Sequence, residues 1–142
     1  MAFVLDASIA GAWLFEDERS WLFEDERSAF TEFLFDRLDR ERAIVPTLWW
    51  FEVRNLAAMN ERRGRVTPTQ TELFLLKMQD LAIERDDLPV SDDLLRLARQ
   101  HRLTVYDAAY LELAQRLGVE LATLDQRLVN AARAEGVRVA SD

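Results

Sequence analysis

Phe3-Val4-Leu5 is a short apolar run that ends at Asp6 and predicts a buried strand. After Ser8, a suitable N-cap, apolar residues recur at helical spacing for a long stretch. Ala43-Ile44-Val45 is the next strand-like run, closed by Pro46, and a helix is expected over 47–62, stopped by Gly64. Thr67-Pro68-Thr69-Gln70 combines a capping box with proline in the first turn, predicting a helix that runs to about Glu84. Asp86-Asp87-Leu88-Pro89 reads as a turn or short strand, and Ser91 with Asp92 and Asp93 opens a helix toward Gln100. The last third alternates: Leu103-Thr104-Val105 as a strand, 107–117 as a helix with Gly118 as its C-cap, Glu120-Leu121-Ala122 as a strand, 125–135 as a helix closed by Gly136, and Val137-Arg138-Val139 as a strand. Such alternation predicts an α/β fold with a parallel sheet covered on both faces. No linker or low-complexity stretch divides it, so residues 1–142 read as one domain.

One segment breaks the regular pattern. Trp13-Leu14-Phe15-Glu16-Asp17-Glu18-Arg19-Ser20 is followed at once by an identical copy, Trp21 to Ser28. Two copies are too few for a solenoid. On one continuous helix eight residues would turn the second copy by about 80°, so both Trp-Leu-Phe triplets cannot use one core stripe. Either the helix is lengthened and Trp21, Leu22 and Phe23 form an exposed apolar patch, or one copy loops out.

Composition narrows the classes. The 142 residues contain no cysteine, which removes disulfide frameworks and thiolate-bound zinc. No apolar stretch near the start approaches the ~20 residues of a membrane span, and the first residues carry no basic leader. A cytoplasmic protein without membrane association is expected. The net charge of −8 argues against generic phosphate attraction. The bases are nonetheless nearly all arginine, gathered at Arg62-Arg63-Gly64-Arg65 and around Arg96, Arg99 and Arg102, where they serve either as phosphate partners or as an ordinary solvated face.

The candidate chemistry lies in acids. Asp6, Asp107 and Asp125 each follow an expected strand, and ligands of open α/β sheets bind outside the carboxyl ends of strands. Taken singly, each has a purely structural alternative: an Asx turn for Asp6, half of a capping box for Asp107, a first-turn acid for Asp125. Glu52 adds weight. It lies in a largely apolar helix with Leu48 and Leu56 as same-face neighbours, so its carboxylate needs a proton, an arginine or a metal. Two such charges 4 Å apart repel by about 4 kcal/mol at an effective dielectric of 20. Oxygen-only ligands favour Mg²⁺ or Mn²⁺ over zinc, and those ions activate water and stabilise leaving oxygens in phosphoryl transfer.

Val4-Leu5-Asp6-Ala7-Ser8, Glu52 with Asn55, Tyr106-Asp107-Ala108-Ala109-Tyr110-Leu111-Glu112-Leu113-Ala114 and Thr123-Leu124-Asp125-Gln126-Arg127-Leu128 together resemble a PIN domain, and more narrowly the VapC-type toxins of bacterial toxin–antitoxin pairs. The resemblance spans essentially the whole chain, with Tyr-Asp-Ala-Ala-Tyr its most specific piece. It implies a three-layer α/β/α fold and a Mg²⁺- or Mn²⁺-dependent endoribonuclease, often a homodimer, held inactive by a cognate antitoxin. By position, Asp6, Glu52, Asp107 and Asp125 match the family's acidic quartet as catalytic and metal-binding residues. Ser8 and Thr123 match hydroxyls beside the site, and Asn55 a supporting residue. The tandem repeat departs from the family pattern.

Other classes fit less well. A catalytically silent PIN-like protein-binding module is opposed by the complete quartet. A receiver-type acid pocket needs a lysine after a late strand, but the only lysine, Lys77, lies in mid-helix. The four glycines never form G-x-G-x-x-G. His101, the single histidine, reads as structural or superficial, and of the aromatics only Trp49 and Trp50 invite a check as a stacking surface.

Overall fold

The computed structural model describes residues 1–19, 26–87 and 92–141, with side chains omitted over 16–19 and 26–28. β1 (Ala2–Leu5) leads into α1 (Ala7–Arg19), α2 (Glu26–Arg37) and β2 (Arg42–Pro46); then come α3 (Leu48–Arg62), α4 (Pro68–Gln79), β3 (Ile83–Asp86), α5 (Asp93–His101), α6 (Val105–Leu117), β4 (Glu120–Ala122) and α7 (Gln126–Ala134). The strands pair in the order β3-β2-β1-β4, every pair parallel. This is the three-layer α/β/α arrangement expected. β1 and β4 supply Phe3, Val4, Leu5, Leu121 and Ala122 to the core, all fully buried, as strands covered on both faces require. Among the described residues no helix is long and apolar enough to cross a membrane.

Three expected elements differ. Leu103-Thr104-Val105 is not a strand. Arg102 ends α5 in the left-handed region (φ 53°, ψ 41°), and Leu103 N–H bonds back to the Ala98 carbonyl, a Schellman-type stop that seats the buried Leu103 on the core. Thr104 then caps α6 by accepting from Asp107 N–H at 3.0 Å. The apolar run therefore marks a helix-to-helix corner.

The helix begun at Pro68, complete with its Thr67/Gln70 capping box, ends at Gln79 rather than near Glu84. Ile83–Asp86 instead adds β3 at the sheet edge, where charged residues discourage further pairing and conceal a strand pattern. Val137-Arg138-Val139 contributes only a single bridge, Leu121 to Val139.

The described parts of the repeated segment fall in two helices. Its first copy closes α1, with Trp13 and Leu14 buried, and the tail of the second opens α2. The Trp13 indole donates to the Thr31 carbonyl of α2 at 2.8 Å, so the two helices lie side by side. The patch expected at Trp21, Leu22 and Phe23, the helix start at Ser91 and the turn at Leu88-Pro89 lie outside the described residues. His101 is structural, its Nε2 standing 2.7 Å from Glu135 Oε1.

Candidate active site

From β1 the chain adds β2 and β3 on one side and returns to place β4 on the other. Connections thus diverge at β1 and β4, and a crevice is expected where their carboxyl ends part. Asp6 is the first residue beyond β1 and Thr123 the first beyond β4. Both are buried. Asp6 Oδ2 accepts from Ser8 Oγ at 2.8 Å and from Thr123 Oγ1 at 2.6 Å. The same hydroxyls accept in turn: Ser8 Oγ from Leu124 N–H and Thr123 Oγ1 from Asp125 N–H. Two small hydroxyls therefore lock the ends of the two strands together and fix one oxygen of Asp6. Its other oxygen has no hydrogen-bond partner among the described residues.

Asp125 is the N-cap of α7, its Oδ1 accepting from Arg127 N–H at 2.9 Å. Asp107 arrives by an unexpected route. It sits in the first turn of α6, which packs against β1, β2 and β4, so a helix N-terminus rather than a strand end brings it to the crevice. Glu52 projects from α3 and accepts from the Tyr110 hydroxyl at 3.1 Å. Among the described residues no arginine pairs with Glu52, the structural alternative for it; a phenol takes that place. Asn55 is the exception among the expected residues: it is exposed, and its amide points to Met59 Sδ at 3.5 Å.

The electrostatics tie the four acids into one group. Burial pushes the Asp6 carboxyl above the usual range against the pull of its two hydroxyl donors, and Asp107 and Asp125 push it further. Burial raises Glu52 to about 7, with the Tyr110 hydrogen bond opposing and Asp6 and Asp107 adding to the rise. Burial and then Asp125 raise Asp107. Among the described residues no arginine or lysine neutralises any of the four. Nor is any group of three or more acid or histidine side chains arranged to hold one ion as it stands. The donor set itself is all oxygen, with no thiol in the chain and the sole histidine engaged by Glu135. That chemistry suits a hard divalent cation.

Tyr110 was not singled out as a site residue by sequence. It is fully buried on α6 one turn after Asp107, and that i, i+3 spacing was the available signal. Burial and the charges of Glu52 and Asp6 keep its phenol protonated, hence a donor. Tyr110→Phe is expected to move the Glu52 midpoint further above about 7, because the opposing hydrogen bond is lost. A carboxyl NMR titration reads this directly, and an unchanged or lower midpoint contradicts it.

A family model for the PIN domain matches residues 3–134. The chain is similar to Ribonuclease VapC3 of Pyrobaculum aerophilum, 32% identical over 129 residues that make up 90% of this chain and 92% of that protein. It is also similar to Exonuclease VapC9 of the same organism, 32% identical over 90 residues, 63% of this chain and 67% of that one. Among solved structures, PAE2754 from Pyrobaculum aerophilum superposes with a TM-score of 0.69 at 22% identity, covering 92% of this chain and 84% of its own. FitAcB from Neisseria gonorrhoeae gives 0.60 at 17% identity, with 99% and 97% covered. At those identities the likeness is one of fold.

Proposed function

This chain belongs to the PIN-domain family, and on that premise we propose that it is a VapC-type toxin, an endoribonuclease that hydrolyses RNA phosphodiester bonds with Mg²⁺ or Mn²⁺. The observation that supports the reading is the Asp6 carboxylate fixed by Ser8 and Thr123 at the ends of β1 and β4, with Glu52 held by Tyr110 and with burial, aided by neighbouring acids, making Asp6, Glu52 and Asp107 reluctant to ionise. Asp6, Asp107 and Asp125 would hold the cation, which supplies a Lewis acid and lowers the pKa of a water.

The chain's own residues do the rest. Ser8 and Thr123 hold Asp6 by one oxygen and leave the other for a ligand. Tyr110 fixes the Glu52 carboxyl, which would orient the attacking water. A cation also turns an acidic pocket into one that accepts phosphate, which answers the −8 net charge.

The same reading gives the chain two protein partners, a cognate antitoxin and a second copy of itself. Apolar side chains left exposed, Trp50 and Phe51 on α3 and Leu73 and Leu76 on α4, are surfaces of the kind such partners cover.

Purified protein incubated with total cellular RNA is expected to yield discrete internal fragments in Mn²⁺ and none in chelator. Progressive shortening from one end would replace the endonuclease with an exonuclease. Cleavage unaffected by chelator would remove the metal from the mechanism.

A further inference from the structure

Beside the acidic crevice runs a second feature of opposite charge. An open cleft of about 380 Å³ separates the end of α5 from α7 and is lined by His101, Arg102, Arg127, Asn130 and Ala131. Arg127, Asn130 and Ala131 lie at i, i+3 and i+4 on one face of α7. That is the helix whose N-cap is Asp125, and Arg127 N–H is the donor to the Asp125 carboxylate. The cleft therefore begins within one turn of Asp125.

We infer that this cleft is a phosphate subsite for the RNA substrate, with Arg102 and Arg127 holding the backbone on the Asp125 side of the scissile bond. The inference rests on the ribonuclease reading and extends it to the substrate's path. Neither arginine has an ion-pair partner among the described residues. The acid behind them, Glu135, is already engaged by His101 at 2.7 Å, Arg96 at 3.1 Å and Gln115 at 3.3 Å. Two guanidinium groups thus face solvent without a counter-charge among those residues, on a chain of net charge −8. Such a pair suits bidentate recognition of phosphate. Asn130, whose Oδ1 accepts from Gln126 Nε2, keeps its amide N–H as a neutral donor in the same lining.

The backbone supplies an independent argument. Arg102 holds a left-handed conformation, φ 53°, at a helix stop. Glycine occupies such positions at no steric cost, whereas a residue with a Cβ is strained there. Among the described residues it is the only non-glycine with positive φ. An arginine at that point costs stability and adds its side chain to the lining of the cleft. Strain retained in this way points to function at the side chain.

The test uses the full chain carrying Asp107→Asn, so that RNA survives, and a short labelled single-stranded RNA titrated at salt from about 50 to about 200 mM. Log affinity falls with log salt by about 0.7 per phosphate contact on single strands. Removing both arginines (Arg102→Gly with Arg127→Gln) is expected to weaken binding at every sequence tested and to flatten the slope by about 1.4, which makes the variant about sevenfold less sensitive over that range. Arg102→Gly alone is expected to weaken binding while leaving the melting temperature unchanged or raised, a pairing that a merely structural residue would not give. Binding and slope unchanged in the double variant overturn the subsite. Cleavage by the unmutated chain in Mn²⁺ separates the two readings. If it cleaves while binding ignores both arginines, the subsite alone falls; if it neither cleaves nor binds RNA, both fall. Arginine-dependent binding without cleavage overturns the nuclease and with it the substrate subsite, leaving the cleft as an RNA-binding surface only.

Discussion

Asp6→Asn is expected to lower RNA cleavage by about a thousandfold or more with the fold intact. A cation's charge stabilisation is worth several kcal/mol, and each tenfold in rate is about 1.4 kcal/mol. Losing one of its principal anionic ligands therefore removes about three powers of ten. Asparagine keeps an oxygen that can accept from Ser8 Oγ and Thr123 Oγ1, so the lock between the ends of β1 and β4 survives. The substitution also removes a buried charge that Asp107 and Asp125 disfavour, so the metal-free variant should melt no lower than the parent. Thr123→Val is the graded control. It leaves all four carboxylates and removes one donor to Asp6 and one acceptor from Asp125 N–H. Partners of this kind cost about 10–100-fold when lost. Steady-state cleavage of one defined RNA by the three proteins, with thermal melts of each, gives the comparison. Parent-like rates in Asp6→Asn would remove Asp6 from the site.

Much of this site was legible because it depends on local chemistry. Asp6 and Asp125 follow short apolar runs that do become strands, and an acid at the end of a buried strand sits where water is scarce and a ligand can replace it. Glu52 was legible from the apolar residues around it. Asp107 was reached by a wrong route: Leu103-Thr104-Val105 has strand composition, but the left-handed Arg102 turns the chain before a strand can start, and Thr104 prefers to cap a helix. β-Propensity over three residues is too weak to resist two helix signals. β3 was hidden for a different reason. Its Ile-Glu-Arg-Asp sequence pairs through the backbone with β2 while Glu84 and Arg85 face solvent and Asp86 pairs with Arg116, so no apolar alternation exists to be read. Long-range partners were the least visible. Nothing near Glu52 in sequence announces Tyr110, 58 residues away. Asn55, one helical turn from Glu52, had the right spacing but turned to Met59.

Raising the pH from 5 to 8 in chelator is expected to lower the melting temperature, and Mn²⁺ at pH 8 is expected to restore it. Glu52, Asp6 and Asp107 all have folded-state midpoints above their ordinary values. For an acid so shifted the folded chain binds the proton more tightly than the unfolded one. Its contribution is then full below the unfolded midpoint, 4.5 for Glu52, and is lost as pH rises through about 7. Glu135 has the opposite sign, since His101 and Arg96 hold it low, but its contribution changes only below about 4.5 and leaves the pH 5–8 window clear. A cation that binds only the folded chain adds about 2.7 kcal/mol at a hundredfold excess over its dissociation constant, on the order of 10 °C for a domain of this size. Its charge also offsets both the burial and the neighbouring acids that raise these carboxyls, so the melts at pH 5 and pH 8 should converge. Glu52→Gln isolates the group that titrates nearest neutrality: without metal its slope over the same window should shrink while its stabilisation by Mn²⁺ persists in part. A chain whose melting at pH 8 ignores Mn²⁺ would leave Asp6, Glu52 and Asp107 as acids raised chiefly by burial and neutralised by protons alone, and would take the cation out of the mechanism.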